Sequence, residues 1–267
     1  MLNRKWYSHP VLLTGIAINV FVLLLAVSVK GSGEQLARLL TEDGIVEWMQ
    51  FLTFAMTAGL LVFAGAERWR RSGIDLATVG MLGLGFVVAA AAMEEISWFQ
   101  RILNVQSSEF FMQNNRQGET NLHNLAIGSS GSIHKTIMLK MILLVGLTHN
   151  VVLPLLARSR PAIRSFVEKF GGYLPPLPVS LLYLVLVALS HVLIEHPRKG
   201  ELGEMFGAVH YMSTVFAAYF LGFGYNQPAV FQQPVETGLV DKLFSGLMAF
   251  LLLTAWLLSA GAGAMMG

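Results

Sequence analysis

The sequence predicts an all-α polytopic membrane bundle with about seven transmembrane helices, and three observations carry that prediction. Hydrophobic residues make up 54% of the 267-residue chain and charged residues only 13%, and a mean hydropathy of +0.60 is too high for a soluble domain of this length. Long apolar stretches recur at Val11 to Val29, Ile45 to Gly65, Val79 to Phe99, Thr136 to Ala157, Val179 to Ile194, Met205 to Gly224 and Leu239 to Ala260. Each is close to the ~20 residues a bilayer-spanning helix needs. Threaded alternately through a membrane, these segments carry nearly all their acidic residues and histidines to one face.

The first stretch follows Arg4 and Lys5 and is expected to be a retained helix, because the apolar run exceeds a signal-peptide core and no small-residue cleavage site follows it. The fifth is the weakest span, with Pro175, Pro176 and Pro178 at its start and His191 and Glu195 at its end. Orientation follows from the basic loops. Arg68, Arg70 and Arg71 follow the second stretch and Arg158, Arg160, Arg164 and Lys169 the fourth; with Arg4 and Lys5 they predict a cytoplasmic N-terminus in a bacterial inner membrane. Lys30, Arg38, Arg101, Arg116, Lys135, Arg198 and Lys199 fall on the other side, but with acidic neighbours close by. No repeat, linker or low-complexity tract divides the chain, so residues 1–267 read as one transmembrane domain.

Composition also excludes chemistry. Without cysteine there is no disulfide, thiolate nucleophile or thiolate ligand, so any metal must be held by His and carboxylate. A net charge of +2 suits basic cytoplasmic loops and gives no case for nucleic-acid binding.

Four segments carry polar residues into or against the apolar stretches. The second helix opens Glu42-Asp43-Gly44-Ile45-Val46-Glu47-Trp48-Met49-Gln50, where helical spacing places Asp43, Glu47 and Gln50 on one face. Capping of a positive helix end accounts for Glu42 and Asp43, less well for Glu47 a turn deeper. The third helix ends Met93-Glu94-Glu95-Ile96-Ser97-Trp98-Phe99-Gln100-Arg101. A charged residue at a helix centre costs ~2.5–3.5 kcal/mol on insertion scales, so this acidic pair needs compensation. On a continuing helix Arg101 shares a face with Glu94 and Trp98 and would clamp Glu94, leaving Glu95 about 100° away as the residue to single out for function.

The connection from Leu103 to Lys135 is long for a loop and reads as an extracytoplasmic lid or interfacial element, with Phe110, Phe111 and Met112 suited to the headgroup region. Within it Glu119 and His123 stand four apart, so on a helix they could orient one imidazole or chelate one ion. The last segment, Ser190 to Glu204, offers His191 with Glu195 and Glu201 with Glu204 as same-face pairs, and His210 lies inside the apolar stretch that follows. A solvated turn broken by Pro197 and Gly200 accounts for Glu195 through Glu201 but for neither His191 nor His210. In the fourth helix Lys140 could neutralise a carboxylate, and His149 reads as a packed core histidine.

The runs Glu42-Asp43-Gly44-Ile45-Val46-Glu47-Trp48, Glu94-Glu95-Ile96-Ser97-Trp98-Phe99-Gln100-Arg101 and Glu119-Thr120-Asn121-Leu122-His123-Asn124-Leu125 resemble those of a group of uncharacterised bacterial multi-pass membrane proteins. The resemblance covers about the first half of the chain and implies no activity. Glu94-Glu95 with Arg101 is also similar to the intramembrane CAAX-type proteases. That family places its Arg nearer the Glu pair and has spaced Phe-His and His-Asn motifs on later helices, and this chain departs at both points.

The leading expectation is a metal-dependent membrane hydrolase or transferase acting on a lipid or lipid-linked substrate at the extracytoplasmic face. Its metal, zinc, iron or manganese, would take ligands from Glu47, Glu95, His123, His191, Glu204 and His210, with Glu95, His123 and Arg101 as catalytic groups. The alternatives are an accessory subunit bound to a membrane protein partner, its carboxylates paired with Arg101, Lys140 and Arg198, or a proton-coupled carrier using Glu95 and the histidines. A carrier calls for polar positions through both membrane halves, whereas the cytoplasmic halves read as almost entirely apolar.

Overall fold

A computed structural model describes residues 5–127, 131–133 and 137–265; Arg4, Lys135 and Thr136 among the residues named above lie outside them. Twelve helices follow in chain order: α1 (Pro10–Val29), α2 (Gly33–Leu40), α3 (Ile45–Ser72), α4 (Leu76–Glu95), α5 (Gln100–Leu103), α6 (Glu109–Asn114), α7 (Leu139–Leu147), α8 (Leu153–Ser159), α9 (Pro161–Lys169), α10 (Leu177–Leu193), α11 (Gly200–Val215) and α12 (Pro234–Met265). A two-stranded hairpin of Ala126–Ile127 and Gly131–Ser132 is the strand pairing among the described residues. Thr148–Val152 joins α7 to α8 and Phe216–Phe220 extends α11, each as a wider π turn.

Local signals set the helix ends. Ser32 and Asp75 accept from the amides of Gln35 and Thr78 and so cap α2 and α4, the N-cap chemistry expected of those residue types. Pro10 and Pro161 occupy first-turn positions, where the missing N–H costs nothing. Gly73, at φ 78°, ends α3 and lets the chain reverse into α4.

Among the described residues, five segments are long and apolar enough to cross a membrane: Pro10–Val29, Gly33–Ser72, Leu76–Glu95, Leu139–Ser159 and Glu236–Gly261. The other two expected spans take different forms. The proline run at 175–178 delays α10, which is left with 17 residues and a length of ~26 Å. α11 is the hub of the bundle: Leu202, Met205, Phe206, Val209 and Met212 are wholly buried, and the helix packs on α1, α3 and α10. A helix surrounded by protein can carry Glu201, Glu204, His210, Ser213 and Thr214 without meeting lipid, which lowers its hydropathy below that of a lipid-facing span.

Close approaches hold the bundle. Asn19 of α1 donates from Nδ2 to the Phe206 carbonyl of α11 at 3.0 Å. At the base of α4, a Cβ at Gly80 would lie 1.9 Å from the Phe170 carbonyl oxygen, and one at Gly171 (φ 77°) 2.3 Å from that of Ala77. Backbone meets backbone there, and only glycine fits. The α7 half of the Leu139–Ser159 segment, by contrast, stands off the bundle with most of its side chains, Lys140 included, exposed.

Candidate functional site

The polar residues gather at the end of the bundle where α3 begins, α4 ends and α11 begins. Glu47 reaches this point from the first turn of α3. Its Oε2 accepts the amide of Asp43, a residue held at φ 58°, so Glu47 closes the start of its own helix, and the same oxygen receives Arg101 Nη2.

α4 does not continue as a helix. After Ile96 the backbone passes through Ser97, Trp98 and Phe99 at φ 49°, 56° and 61°, three successive left-handed residues of which none is glycine. Each such residue costs ~1–2 kcal/mol, and named contacts hold them. The Ser97 hydroxyl donates to Glu119 and accepts from Asn121 Nδ2, Trp98 Nε1 donates to Glu94 Oε1 at 2.8 Å, and Phe99 packs edge-on against Phe51.

The turn swings Arg101 away from α4 and onto α3. Its guanidinium lies 3.1 Å from Glu47, 3.4 Å from Glu119, 3.5 Å from Asp43 and 3.7 Å from Glu42. This corrects the expected clamp, since Arg101 pairs with Glu47 and its neighbours and not with Glu94. The sequence signals gave no warning of the turn, and helical spacing failed with the helix. Glu42 is therefore more than a cap: Arg198 also binds it, so four carboxylates share two guanidinium groups. Burial opposes the charge of Arg101, but Glu47, Glu119 and Asp43 outweigh it and push its pKa up.

Glu94 instead anchors the long connection. It accepts from Trp98, from the amides of Leu122 (2.6 Å) and His123 (3.2 Å), and stands 3.4 Å from His123 Nδ1. Asn124 Nδ2 lies 2.9 Å from His123 Nε2, so both ring nitrogens are engaged and His123 acts as a clasp. Glu119 and His123 do not share a helical face, because Gly118 at φ 69° and the Asn115–Asn121 hydrogen bonds fold the stretch into turns. The middle of the connection lies across the helix ends, with Gln117 bound to Glu42 and Thr120 to Gln100.

Glu95 is the last residue of α4, within electrostatic reach of Glu204, Glu201, Glu47 and Gln50. Gln50 Nε2 donates to Glu204 Oε2 at 3.3 Å, while Gln50 Oε1 is buried with no donor facing it. The structure thus brings Glu47, Glu95 and Glu204 together, with Arg101 alongside and His123 one layer out through Glu94.

His191 and His210 lie elsewhere. His191 is exposed and stands 3.0 Å from its own helix carbonyl at Val187, while Glu195 has left the helix beyond Ile194. His210, less than two turns or ~9 Å along α11 from Glu204, is buried, stacked on Tyr183 and 2.8 Å from Asn150 Oδ1. Asn150 also binds the hydroxyls of Tyr211 and Ser180, and next to it His149 meets the Tyr173 carbonyl while the Tyr173 hydroxyl meets Thr214. This cluster lies within the apolar stretches, among α10, α11 and the Thr148–Val152 turn. Asn150, Ser180 and Tyr211 had a readable signal, polar groups within apolar stretches, that histidines alone overshadowed.

Among the described residues no group of three or more His, Asp and Glu side chains is arranged to hold a metal ion. The three histidines of the expected ligand set lie apart, His123 on the long connection, His191 at the exposed end of α10 and His210 inside the bundle, so they do not gather on one zinc, iron or manganese ion with Glu47, Glu95 and Glu204. Comparisons of the chain with protein families, with curated proteins and with solved structures found no match.

Proposed function

We propose that this chain is a proton-coupled carrier of the bacterial inner membrane, with Glu95 as its proton-exchanging carboxylate at the extracytoplasmic face. The observation that carries the reading is the company Glu95 keeps: Glu204, Glu201 and Glu47 around it and Gln50 against it. Several carboxylates gathered at one helix junction repel one another, and a proton or a cation relieves that repulsion. A proton on Glu95 would also supply the donor that the buried Gln50 Oε1 lacks. Polar groups continue inward from this point through Tyr183, His210, Asn150, Tyr211, His149, Tyr173 and Thr214, which supports passage through both halves of the membrane over a one-sided catalytic pocket.

In this reading α10 and α11 complete a seven-span topology with the N-terminus in the cytoplasm, and the Leu103–Lys135 connection covers the outer mouth. The chain lacks cysteine, so single cysteines at Gly31 and Ser72 report orientation: labelling at Gly31 but not Ser72 from outside is expected, and the reverse overturns it. Function is tested in proteoliposomes holding a pH-sensitive dye. The wild type should dissipate an imposed pH gradient and Glu95→Gln, still folded, should not; equal rates for the two, or none for the wild type, sink the proposal.

A second reading, an accessory subunit docked on a membrane protein partner, is favoured by the Leu139–Ser159 segment, of which only 11% is buried. Cross-linking from Leu143 in native membranes tests it. An enzyme acting on membrane lipid has less support, because the metal ligands it calls for are not gathered.

A further inference from the structure

We propose that the end of the bundle opposite the acidic cluster holds a binding site for a phosphate-bearing anion. A cavity of about 180 Å³ lies between the end of α3, the start of α4 and the connection from α11 to α12, several times the ~30 Å³ share of one water. Its polar wall is Glu67, Arg68, Arg71, Ser72, Tyr225 and Gln232, with Glu67 already bound by Arg70 and Arg71, and its apolar wall includes Ala64, Met81 and Val230.

Two features aim this space at an anion. The first is Tyr225, 3% exposed, whose hydroxyl is buried with no hydrogen-bond partner. An orphaned O–H in such a place costs ~1–3 kcal/mol, and an acceptor in the cavity would remove that cost. The second is the pair of guanidinium groups. Arg68 spends Nε and Nη2 on Asp75, which leaves its Nη1 hydrogens for a further acceptor. Arg71 is fixed by Glu67 through Nε and by the Ala229 and Val230 carbonyls, so the connection that closes the cavity is tied to the cation that lines it. Arg70 joins Arg71 on Glu67, so that carboxylate is shared between two guanidinium groups.

Planar, multiply donating cations beside a hydroxyl suit a phosphate oxygen set. The apolar wall and the position at the ends of two membrane spans suit the head of an anionic lipid, and a free phosphate presents the same oxygens. Binding here makes no use of Glu95, so the two proposals fail separately.

The full chain in phosphatidylcholine nanodiscs is titrated with dioctanoyl phosphatidate, with inorganic phosphate and with dioctanoyl phosphatidylcholine, reading thermal stabilisation. Phosphatidate should stabilise the wild type and phosphatidylcholine should not. Tyr225→Phe, which removes one hydroxyl donor, should weaken the phosphatidate response about tenfold. Gln232→Glu, a change on the exposed connection that adds a like charge to the rim, should weaken it by at least that much. Inorganic phosphate acting at the same site, with the same sensitivity to Tyr225→Phe, identifies a soluble ligand of the proposed chemistry. Stabilisation by neither anion, an equal response to phosphatidylcholine, or full affinity in both variants overturns the site.

Discussion

Arg101→Gln should be the most damaging single change at the acidic end of the bundle. The substitution leaves Glu42, Asp43, Glu47 and Glu119 with Arg198 alone. The Glu47 contact at 3.1 Å is a charge-assisted hydrogen bond worth ~1.5–3 kcal/mol, and the three at 3.4–3.7 Å each add less. The Arg101 side chain keeps 20% of its surface exposed, so the loss should fall between that of a surface pair (~0–1 kcal/mol) and a fully buried one (~3–5 kcal/mol), nearer the upper end at about 3 kcal/mol. Equilibrium unfolding in mixed micelles measures it, and double-mutant cycles assign it. Arg101→Gln with Glu47→Gln should show coupling of ~1.5 kcal/mol or more, and Arg101→Gln with Glu94→Gln less than ~0.5 kcal/mol. Stronger coupling to Glu94 than to Glu47 would mean that the helix runs on through Ser97–Phe99, and the left-handed turn would be wrong.

Glu95→Gln should leave the protein as stable or more so, because a neutral amide of the same shape cannot repel the neighbouring carboxylates and can still donate to Gln50; a loss above ~1 kcal/mol by the same unfolding assay would make Glu95 structural. Asp75→Ala removes both the cap on Thr78 and the bidentate partner of Arg68 and should cost ~1–2 kcal/mol. Arg68 first, and the Thr78 amide next, hold the Asp75 carboxyl below the usual carboxylate range. Its contribution is therefore present above the unfolded pKa of ~3.9 and fades as pH falls from there toward the folded value, a loss that Asp75→Ala should abolish in stability measured against pH. Gly80→Ala forces a methyl group onto the Phe170 carbonyl and should cost ~1–3 kcal/mol; an unchanged melting temperature would contradict the close approach.

The helices were legible because apolar length writes itself into composition, and Ser32, Asp75 and Gly73 mark their ends in ways that sequence alone shows. The acidic site was legible in its residues but not in its pairings. Ser97, Trp98 and Phe99 turn left-handed without a glycine to announce it, and that one turn redirects Arg101 from Glu94 to Glu47. Glu119 and His123 misled for a related reason: helical spacing was assumed where Gly118 and two asparagines build turns. α11 reads as less apolar than the five long spans because protein surrounds it, so polar residues such as His210 and Ser213 sit buried among other helices.

The two ends of α3 tie the chemistry together. This single helix of 28 residues, ~42 Å long, carries Glu47 and Gln50 into the acidic cluster at its start and Glu67, Arg68 and Arg71 into the cavity wall at its end. Acidic residues dominate the first end and guanidinium groups the second, the arrangement expected where Lys and Arg mark the cytoplasmic side. The macrodipole favours the same order, with carboxylates at the helix start and cations in its last turn. A proton site at one face and an anion site at the other would therefore sit on one rigid element packed on the hub helix α11. If the two sites are coupled, phosphatidate binding should change the pH dependence of dye-reported proton flux, and Tyr225→Phe should remove that change while leaving basal flux intact. Flux whose pH profile is indifferent to phosphatidate would make α3 a shared scaffold that carries no signal between them.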